Sequence, residues 1–376
     1  PFDSKIWLSP PHLTGSEQDY IEEALRENWV APAGPHLQKF EEEFADKIGA
    51  DHAVALSSGT AALHLAIHEL KPEPGDEVLV SDFTFVATVN AICYEQCTPV
   101  MVDSEPKSWN MDPHLLEQAV KDRLEQGKNP IAVVLVHVYG QPANLGAILE
   151  VCRKYDLTLI EDAAESLGAE YAGQPVGTFG KMGVFSFNGN KIITTSAGGM
   201  MVTNEKEIAD HARKLSMQAK ENGAFYLHRE VGFNYRMSNI LAGLGRAQLR
   251  KLDERVAKKK QIFSWYQKAL AGVEGIEWMP DNPYGKHTCW LTCLTLDEKV
   301  TGITRDELIN ALNSYNIEAR PLWRPMHLQP AFKSYPFNQK NIAATLYKKG
   351  VCLPSGTQLT KAQVVKISSI IRDKIN

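Results

Sequence analysis

The chain has 376 residues, of which 44% are hydrophobic and 23% are charged, and its formal net charge is −5. This composition is typical of a folded globular protein, and the length exceeds what one hydrophobic core usually supports, so we expect two packed units. The slightly acidic balance, without a basic stripe interleaved with aromatic residues, argues against a nucleic-acid partner.

The cellular location and the absence of a metal site are predicted from the hydrophobicity pattern and from the spacing of the cysteines. No window of 18 apolar residues occurs, so we expect no membrane span and, by default, a cytoplasmic protein. The six cysteines are sparse for this length and form no CxxC pair, which argues against a disulfide scaffold, a structural zinc site or any other metal centre.

Between about residues 51 and 204, short β-branched runs alternate with helical patterns. Runs such as "IAVVLV" and "LTLI" are apolar on both faces, which is typical of parallel strands covered by helices on both sides. The sequence therefore predicts an α/β unit with a mostly parallel sheet.

The stretch Ser238–Gly272 contains no proline and predicts a linking helix. Beyond it, strand-like runs such as "CWLTCLTL" mix with amphipathic helical patterns such as "TRDELINALNSYNIEA", which predicts a smaller α+β unit. We expect the large domain to cover residues 1–250 and the small domain to cover residues 251–376.

The segment "ALSSGTAALHLA" places Ser58, Gly59 and Thr60 between a predicted strand and a predicted helix. Free backbone N–H groups at a helix start, next to small residues and hydroxyls, can bind an anion such as a phosphate. Taken alone, the segment is better explained as an ordinary helix cap. The dinucleotide signature GxGxxG and the nucleotide signature GxxxxGK[ST] are both missing, so evidence for a dehydrogenase or a kinase is lacking.

Two further segments carry acidic and amine groups. "LIEDAAES" ends an apolar strand at Asp162, with Glu165 three residues later, where open α/β sheets bind ligands. "FSFNGNKIITTSAGG" places Lys191 after Ser186 among glycines, amides and hydroxyls, which suggests a buried amine. An amine for a covalent bond, an acid for a pyridinium nitrogen and donors for a phosphate are the groups that pyridoxal 5'-phosphate (PLP) requires.

The motifs "SSGTAALHLA", "FTFVAT", "EDAAES", "FSFNGNK" and "GFNYRMSNILAGLGRAQL" occur in the order found in a known family. Together they resemble the DegT/StrS family of PLP-dependent sugar-nucleotide aminotransferases, and the resemblance runs over nearly the whole chain. It implies the aspartate aminotransferase type I fold and L-glutamate as the usual amine donor.

The resemblance also implies roles for individual residues. Lys191 would form the internal aldimine, Asp162 would pair with the pyridine nitrogen, and Glu165 would lie near the phenolic oxygen of the cofactor. The remaining cofactor contacts implied are Phe85, stacked on the ring, and Ser58, Gly59, Thr60 and Ser186 at the phosphate. Asn234 of "GFNYR" would reach the cofactor phosphate of the other subunit, which implies a homodimer with shared active sites.

Three segments, "SPPHLTGSEQDYIEEALRENWVAPAGPHLQKFE", "DSEPKSWNMDP" and "YNIEARPLWRPMHLQPAF", look most like the branch that aminates UDP-linked 2-acetamido-2,6-dideoxy-4-keto-hexoses, as in bacillosamine-type surface glycans. GDP- and dTDP-linked 4-keto-6-deoxy sugars are the alternatives within the family, and a regulatory protein that keeps the fold without turnover is the alternative outside catalysis. His327, Arg320 and Trp323 are candidate substrate residues, although a loop-capping histidine or a surface arginine explains the first two equally well.

Overall fold

The computed structural model describes residues 2–375. The helices are α1 Glu17–Arg26, α2 Pro35–Ile48, α3 Gly59–His68, α4 Val86–Tyr94, α5 Pro113–Glu125, α6 Leu145–Lys154, α7 Lys206–Leu215, α8 Asn239–Leu249, α9 Leu252–Ala269, α10 Glu298–Thr301, α11 Arg305–Ser314, α12 Ile342–Lys349 and α13 Lys361–Arg372. The strands are β1 His52–Leu56, β2 Glu77–Ser81, β3 Thr98–Val102, β4 Pro130–Val136, β5 Thr158–Asp162, β6 Glu170–Tyr171, β7 Gln174–Pro175, β8 Met182–Ser186, β9 Gly199–Thr203, β10 Ile276–Trp278, β11 Gly285–Lys286, β12 Thr292–Leu296, β13 Arg320–Pro321, β14 Phe337–Asn338 and β15 Gly350–Leu353. In the described range, no helix has both the length and the apolarity to cross a membrane.

The large sheet has eight strands in the order β1-β9-β8-β5-β4-β2-β3-β14. The neighbours from β8 to β14 pair in parallel, whereas β9 runs antiparallel to both β1 and β8. β2 is buried along its whole length and β4 along nearly all of it, as expected for strands covered by helices on both faces. The prediction of an α/β fold with a mixed, mostly parallel sheet is confirmed.

This topology brings distant parts of the chain to one edge of the sheet. Because β9 is antiparallel to both of its neighbours, β1 runs in the same direction as β8 and β5. The carboxyl ends of these three strands therefore lie at the same edge of the sheet. Ser58 follows β1, Phe85 follows β2, and Asp162 and Ser186 are the last residues of β5 and β8. Ligands of open α/β sheets bind at this edge.

A cluster of four buried phenylalanines supports the strand that leads to Lys191. Phe40 and Phe44 on α2 pack against Phe185 on β8 and Phe187 just after it, with ring centroids 5.1 to 6.2 Å apart. Tilted and edge-to-face contacts of this kind contribute about 0.5–1.5 kcal/mol per pair beyond burial. The cluster therefore fixes β8 and the start of the loop that carries the lysine.

The predicted linking helix is two helices, α8 and α9, separated at Arg250 and Lys251. The two helices have different partners, because α8 packs against α1 and α2 whereas α9 packs against α13. Ser238 caps the start of α8 by accepting a hydrogen bond from the Leu241 backbone. The break is thus a consequence of tertiary packing, since the local sequence contains neither proline nor glycine at that point.

The smaller sheet is antiparallel, in the order β10-β12-β15-β13, and shares a hydrophobic core with α9, α11 and α13. Tyr266, Leu294, Leu308 and Ile371 lie in this core. Among the described residues, three strand pairings or bridges cross the predicted division: β14 extends the large sheet beside β3, β11 pairs with β6, and Ile6 bridges to residue 317. The boundary at residue 250 stays a prediction.

Candidate active site

A cleft at the carboxyl edge of the large sheet brings most of the predicted site residues together. It has a cavity volume of about 210 Å³. Nine predicted residues line it: Ser58, Gly59, Thr60, Phe85, Asp162, Glu165, Ser186, Lys191 and Trp323. These residues come from five separate segments, so the fold rather than sequence proximity assembles them.

Lys191 reaches into this cleft from the loop after β8. Its Nζ atom lies 3.7 Å from Oε1 of Glu165 and 4.1 Å from the centroid of the Trp290 ring. Burial lowers the pKa of the Lys191 amine, although the charges of Glu165 and Asp162 act in the opposite direction. A downward shift makes the free amine more available, as a nucleophilic lysine requires.

Asp162 lies at the carboxyl end of β5 with both carboxylate oxygens oriented. Oδ2 accepts a hydrogen bond from Thr88 Oγ1 at 2.8 Å, and Oδ1 accepts one from the Ala164 backbone at 3.1 Å. Burial raises the pKa of Asp162, while these hydrogen bonds and the charge of Lys191 oppose the shift. A buried carboxylate in this state is stabilised by a cation placed beside it, such as a protonated pyridine nitrogen.

Glu165 is fixed from three directions. Its Oε2 atom accepts a hydrogen bond from the backbone N–H of Tyr139 at 2.8 Å, and Oε1 accepts one from Nε1 of Trp323 at 3.1 Å. Burial raises the pKa of Glu165, and the nearby Lys191 charge lowers it in part. Glu165 therefore holds the lysine amine in the cleft and connects it to an aromatic wall.

The predicted phosphate cradle lies at the start of α3. Ser58 caps this helix by accepting a hydrogen bond from the Ala61 backbone at 3.0 Å, so the helix N-terminus points its free N–H groups into the cleft. A Cβ atom placed on Gly59 would lie 2.9 Å from Cβ of Ser186. Only glycine lets the helix start come this close to Ser186, so the helix N-terminus and the Ser186 hydroxyl lie side by side and can bind the same anion.

An aromatic wall closes one side of the cleft. Phe85 is 49% exposed, unusually high for a phenylalanine, and its ring centroid lies 5.4 Å from that of Trp323. The Tyr139 ring is stacked between Trp290 and Trp323 at 6.2 and 6.0 Å. The exposed Phe85 face is therefore available for stacking on a flat ring.

The sequence-based site did not include Thr88 and Trp290, which line the cleft, or Tyr139, which is buried behind its aromatic wall. Thr88 lies within the "FTFVAT" motif, which signalled it without giving it a role. Tyr139 has a left-handed φ of 54°, and Trp290 lies in a segment that the sequence suggested was only strand packing. Their roles depend on contacts across 26 to 184 residues, which no local pattern reports.

Three other predicted residues lie outside this cleft. His327 Nδ1 is 2.6 Å from Oδ2 of the buried Asp82, and its ring stacks on Phe337 at 3.9 Å, which favours the loop-capping alternative. Arg320 is bonded to Glu318 and lines a neighbouring cavity of about 350 Å³ that Trp323 shares. Asn234 is exposed and lies on the segment after α7.

The residues present fit PLP, judged by their own geometry. The cleft offers a largely buried amine at Lys191, a buried carboxylate without a full charge partner at Asp162, and a helix start at Gly59 beside the Ser186 hydroxyl for a phosphate. In residues 2–375, no group of three or more His, Cys, Asp or Glu side chains is placed to hold a metal ion. The donor set is thus that of an organic phosphate cofactor.

Comparison with known proteins agrees with this geometry. Residues 11–372 match the model of the DegT/DnrJ/EryC1/StrS aminotransferase family. The chain is 48% identical to EpsN of Bacillus subtilis (strain 168), whose name describes a pyridoxal phosphate-dependent aminotransferase, over 98% of this chain and 95% of EpsN. It is 38% identical to the GDP-perosamine synthase of Caulobacter vibrioides, over 96% of each chain.

The fold is also that of a solved aminotransferase. The structure of TlmJ from Streptoalloteichus hindustanus superimposes with a TM-score of 0.90 at 28% identity, covering 98% of each chain. The resemblance inferred from the motifs, the expected enzyme class and the expected cofactor are confirmed. The chain belongs to the DegT/DnrJ/EryC1/StrS aminotransferase family, and it is a PLP-dependent sugar aminotransferase that acts on nucleotide sugars.

Proposed function

We propose that the protein moves an amino group from L-glutamate to C4 of a UDP-linked 2-acetamido-2,6-dideoxy-4-keto-hexose, for bacterial surface glycan or glycoprotein synthesis. The observation that carries the transamination is the buried Lys191 amine, 3.7 Å from Glu165 in a cleft that also contains Asp162. The UDP-linked sugar is inferred from the three segments quoted above, which resemble that branch of the family.

The chain's own residues divide the chemistry between them. When bound, PLP supplies an aldehyde for covalent attachment and a ring that withdraws electrons. Lys191, with its lowered pKa, would attach the cofactor and, once freed, carry a proton between the two carbons that flank the transferred nitrogen. Asp162 holds a negative charge against the ring nitrogen, and Thr88 keeps that carboxylate in place. Ser58, Gly59, Thr60 and Ser186 hold the phosphate.

The neighbouring cavity is suited to the nucleotide part of the substrate. Phe85 and Trp323 line both this cavity and the main cleft, so a ligand can extend from one to the other. Arg320 and Arg324 line its wall, and arginine is well suited to bind a diphosphate. These features support a nucleotide-linked substrate without distinguishing one base from another.

A GDP-linked 4-keto-6-deoxy sugar is the second candidate. The observation in its favour is the 38% identity to a GDP-perosamine synthase over 96% of the chain. The chemistry at Lys191 would be the same, and only the nucleotide contacts would differ. A direct comparison of the two nucleotides therefore decides between the candidates.

We also propose a homodimer in which Asn234 reaches the cofactor phosphate of the partner subunit. Asn234 is exposed and does not line its own cleft, so a role at the cofactor requires a second copy. The same segment exposes Phe225, Tyr226 and Val231 almost fully, at 83 to 86%. An exposed apolar patch of this kind is typical of an interface.

Shared sites can be tested by mixing two inactive variants. Lys191→Ala and Asn234→Ala should each be inactive, and their mixture should recover activity because one of the two sites in a mixed dimer contains both native residues. Lys191→Ala mixed with Asp162→Asn is the control, since both changes lie in one subunit's cleft and the mixed dimer has no intact site. Without recovery in the first mixture, the assignment of Asn234 to the partner's site is wrong.

The substrate is tested by spectrophotometry on the purified protein with PLP. L-Glutamate should remove the absorbance band of the lysine-bound cofactor, and the correct keto sugar should restore it. The UDP-, GDP- and dTDP-linked 4-keto-6-deoxy sugars are added separately, with Lys191→Ala as the blank. Restoration by the GDP sugar alone would replace the UDP proposal, and no loss of the band with glutamate would contradict the proposed amine donor.

A further inference from the structure

Lys259 is a buried amine that the proposed chemistry does not use. It lies on α9 with 2% of its surface exposed. Its Nζ atom is 2.9 Å from the carbonyl oxygen of Trp290, 3.1 Å from that of Ser355 and 3.4 Å from Oγ of Ser9. Three acceptors match the three N–H donors of an ammonium group.

This arrangement is costly for a lysine. Among the described residues, the acceptors and charged neighbours of Lys259 include no Asp or Glu, and a buried charge without such a partner is destabilising. Burial lowers the pKa of the Lys259 amine to about 7, a shift that the nearby Cys289 thiol opposes and Arg255 reinforces. An apolar residue would fill the same space at less cost, so the hydrogen bonds themselves must be what the position provides.

These hydrogen bonds lead to the peptide that precedes Lys191. The carbonyl oxygen of Asn190 accepts two hydrogen bonds, one from Oγ of Ser9 at 2.9 Å and one from Nε1 of Trp290 at 2.8 Å. Lys259 contacts both of the donor residues, through the Ser9 hydroxyl and the Trp290 carbonyl. It therefore lies directly behind the two groups that fix Asn190.

Trp290 connects the same network to the reactive amine. The centroid of its ring is 4.1 Å from Nζ of Lys191, and its indole N–H holds the residue before that lysine. Lys191 and Lys259 also line one small polar cavity of about 10 Å³ together with Ser9, which shows how close the two lysines are. A shift of Ser9 or Trp290 would therefore displace the main chain that precedes Lys191, and a shift of Trp290 would also change the contact with the Lys191 side chain.

We propose that Lys259 is a positioning residue for Lys191, acting through Ser9 and Trp290 on the carbonyl of Asn190. Its ammonium group joins the N-terminal segment, the segment before β12 and the loop after β15 at one point behind the active-site lysine. The role is independent of which nucleotide sugar is the substrate.

The test uses Lys259→Met, which keeps the length of the side chain and removes the donors. Lys258→Met is the matched control, because it removes the same charge from the adjacent residue of α9, which faces Gln261 and Trp265 instead. Ser9→Ala removes the hydroxyl that joins Lys259 to Asn190 but keeps the hydrogen bonds of Lys259 to Trp290 and Ser355, so it is the milder variant if Lys259→Met does not fold.

The first readout is the attachment of PLP to the cofactor-free protein, followed by the absorbance of the bound cofactor. We expect the saturating rate of attachment to fall about tenfold in Lys259→Met and in Ser9→Ala, as for the loss of about one hydrogen bond, while the half-saturating PLP concentration changes by less than about twofold. The effects of the two changes should be less than additive in the double variant, because the two changes share the path through Ser9.

The second readout is amide hydrogen exchange of the cofactor-free protein. In both variants exchange should rise in the peptide covering residues 188–194 and stay unchanged elsewhere in the large sheet, whereas Lys258→Met should match the wild type. Wild-type attachment rates in Ser9→Ala, additive effects in the double variant, or a uniform rise in exchange over the whole chain would each overturn the proposal. Failure of the wild type to attach PLP at Lys191 would contradict the proposed role of Lys191 instead.

Discussion

The proposed phosphate site at Gly59 can be tested by adding a single methyl group. Gly59→Ala should weaken binding of PLP while the protein remains folded. Gly59 begins α3, and its φ lies outside the left-handed region, so alanine is allowed by the backbone. The new Cβ atom would lie 2.9 Å from Cβ and 3.2 Å from Oγ of Ser186. Gly59→Ala must therefore displace the Ser186 hydroxyl and place a methyl group where the phosphate is expected.

The magnitude follows from what the methyl group removes. Loss of one hydrogen bond to a charged phosphate costs about 1.5–3 kcal/mol, so PLP should bind about tenfold to a hundredfold more weakly in Gly59→Ala. Crowding against Ser186 also costs about 1–3 kcal/mol of folding free energy, which leaves a typical domain folded at 25 °C. The binding titration is therefore run at that temperature, with cofactor-free protein and the absorbance of bound PLP as the signal.

Gly146→Ala is the matched control for crowding. Gly146 lies on α6 away from the cleft, and a Cβ there would lie 2.7 Å from Oη of Tyr171, which is at least as close a contact. The midpoint temperature of thermal unfolding should fall by a similar amount in Gly146→Ala and in Gly59→Ala, whereas the PLP affinity of Gly146→Ala should stay at the wild-type value. If Gly59→Ala binds PLP as tightly as the wild type, the phosphate does not approach Gly59 and the cradle is wrongly placed.

Three further predictions concern single contacts. Borohydride reduction of the PLP-loaded protein, followed by peptide mapping, should show the label on Lys191, because Lys191 is the lysine that lines the cleft and its pKa is lowered. Lys191→Ala should lose more than about 90% of the label. A label on another lysine would contradict the role of Lys191. Thr88→Val removes the 2.8 Å donor to Asp162 at nearly constant volume and should weaken PLP binding about tenfold in the same titration, whereas unchanged affinity would show that Thr88 does not orient the carboxylate. Burial lowers the pKa of His211, but its hydrogen bonds to Glu230 and Glu69 outweigh this and raise it. A raised pKa stabilises the folded state fully below the ordinary imidazole value of 6.5, and this stabilisation is lost as the pH rises through the raised value. The unfolding free energies of the wild type and His211→Gln should therefore differ by about 1 kcal/mol at pH 6 and converge by about pH 9. A difference that grows with pH would contradict the direction of this pKa shift.

Local chemistry made several features predictable. The apolar runs of β4 and β5 predict buried parallel strands. Because Asp162 ends such a run, it is predicted to lie at the carboxyl edge of the sheet, where ligands bind. The isolation of Lys191 among glycines, amides and hydroxyls indicates a buried amine, and the shift of its pKa by burial agrees with that reading. These inferences depend on residues that are neighbours along the chain.

Other features could not be predicted locally. The supports of Glu165 come from Tyr139 and Trp323, 26 and 158 residues away, and the break between α8 and α9 reflects packing partners in two different cores. The same holds for Lys259, which lies in a run of three lysines and is nevertheless almost completely buried in the structure.

The sequence by itself thus determined the fold class and the family motifs, and it predicted Lys191 as the reactive lysine, because strand periodicity and contiguous motifs are encoded in short stretches. Only the tertiary structure decided which side chains meet Lys191, that His327 is held by Asp82 rather than lining the cleft, and that Lys259 lies behind the site. The physical reason is that burial and hydrogen-bond partners are set by contacts between segments a hundred or more residues apart, and those contacts exist only once the two sheets have packed.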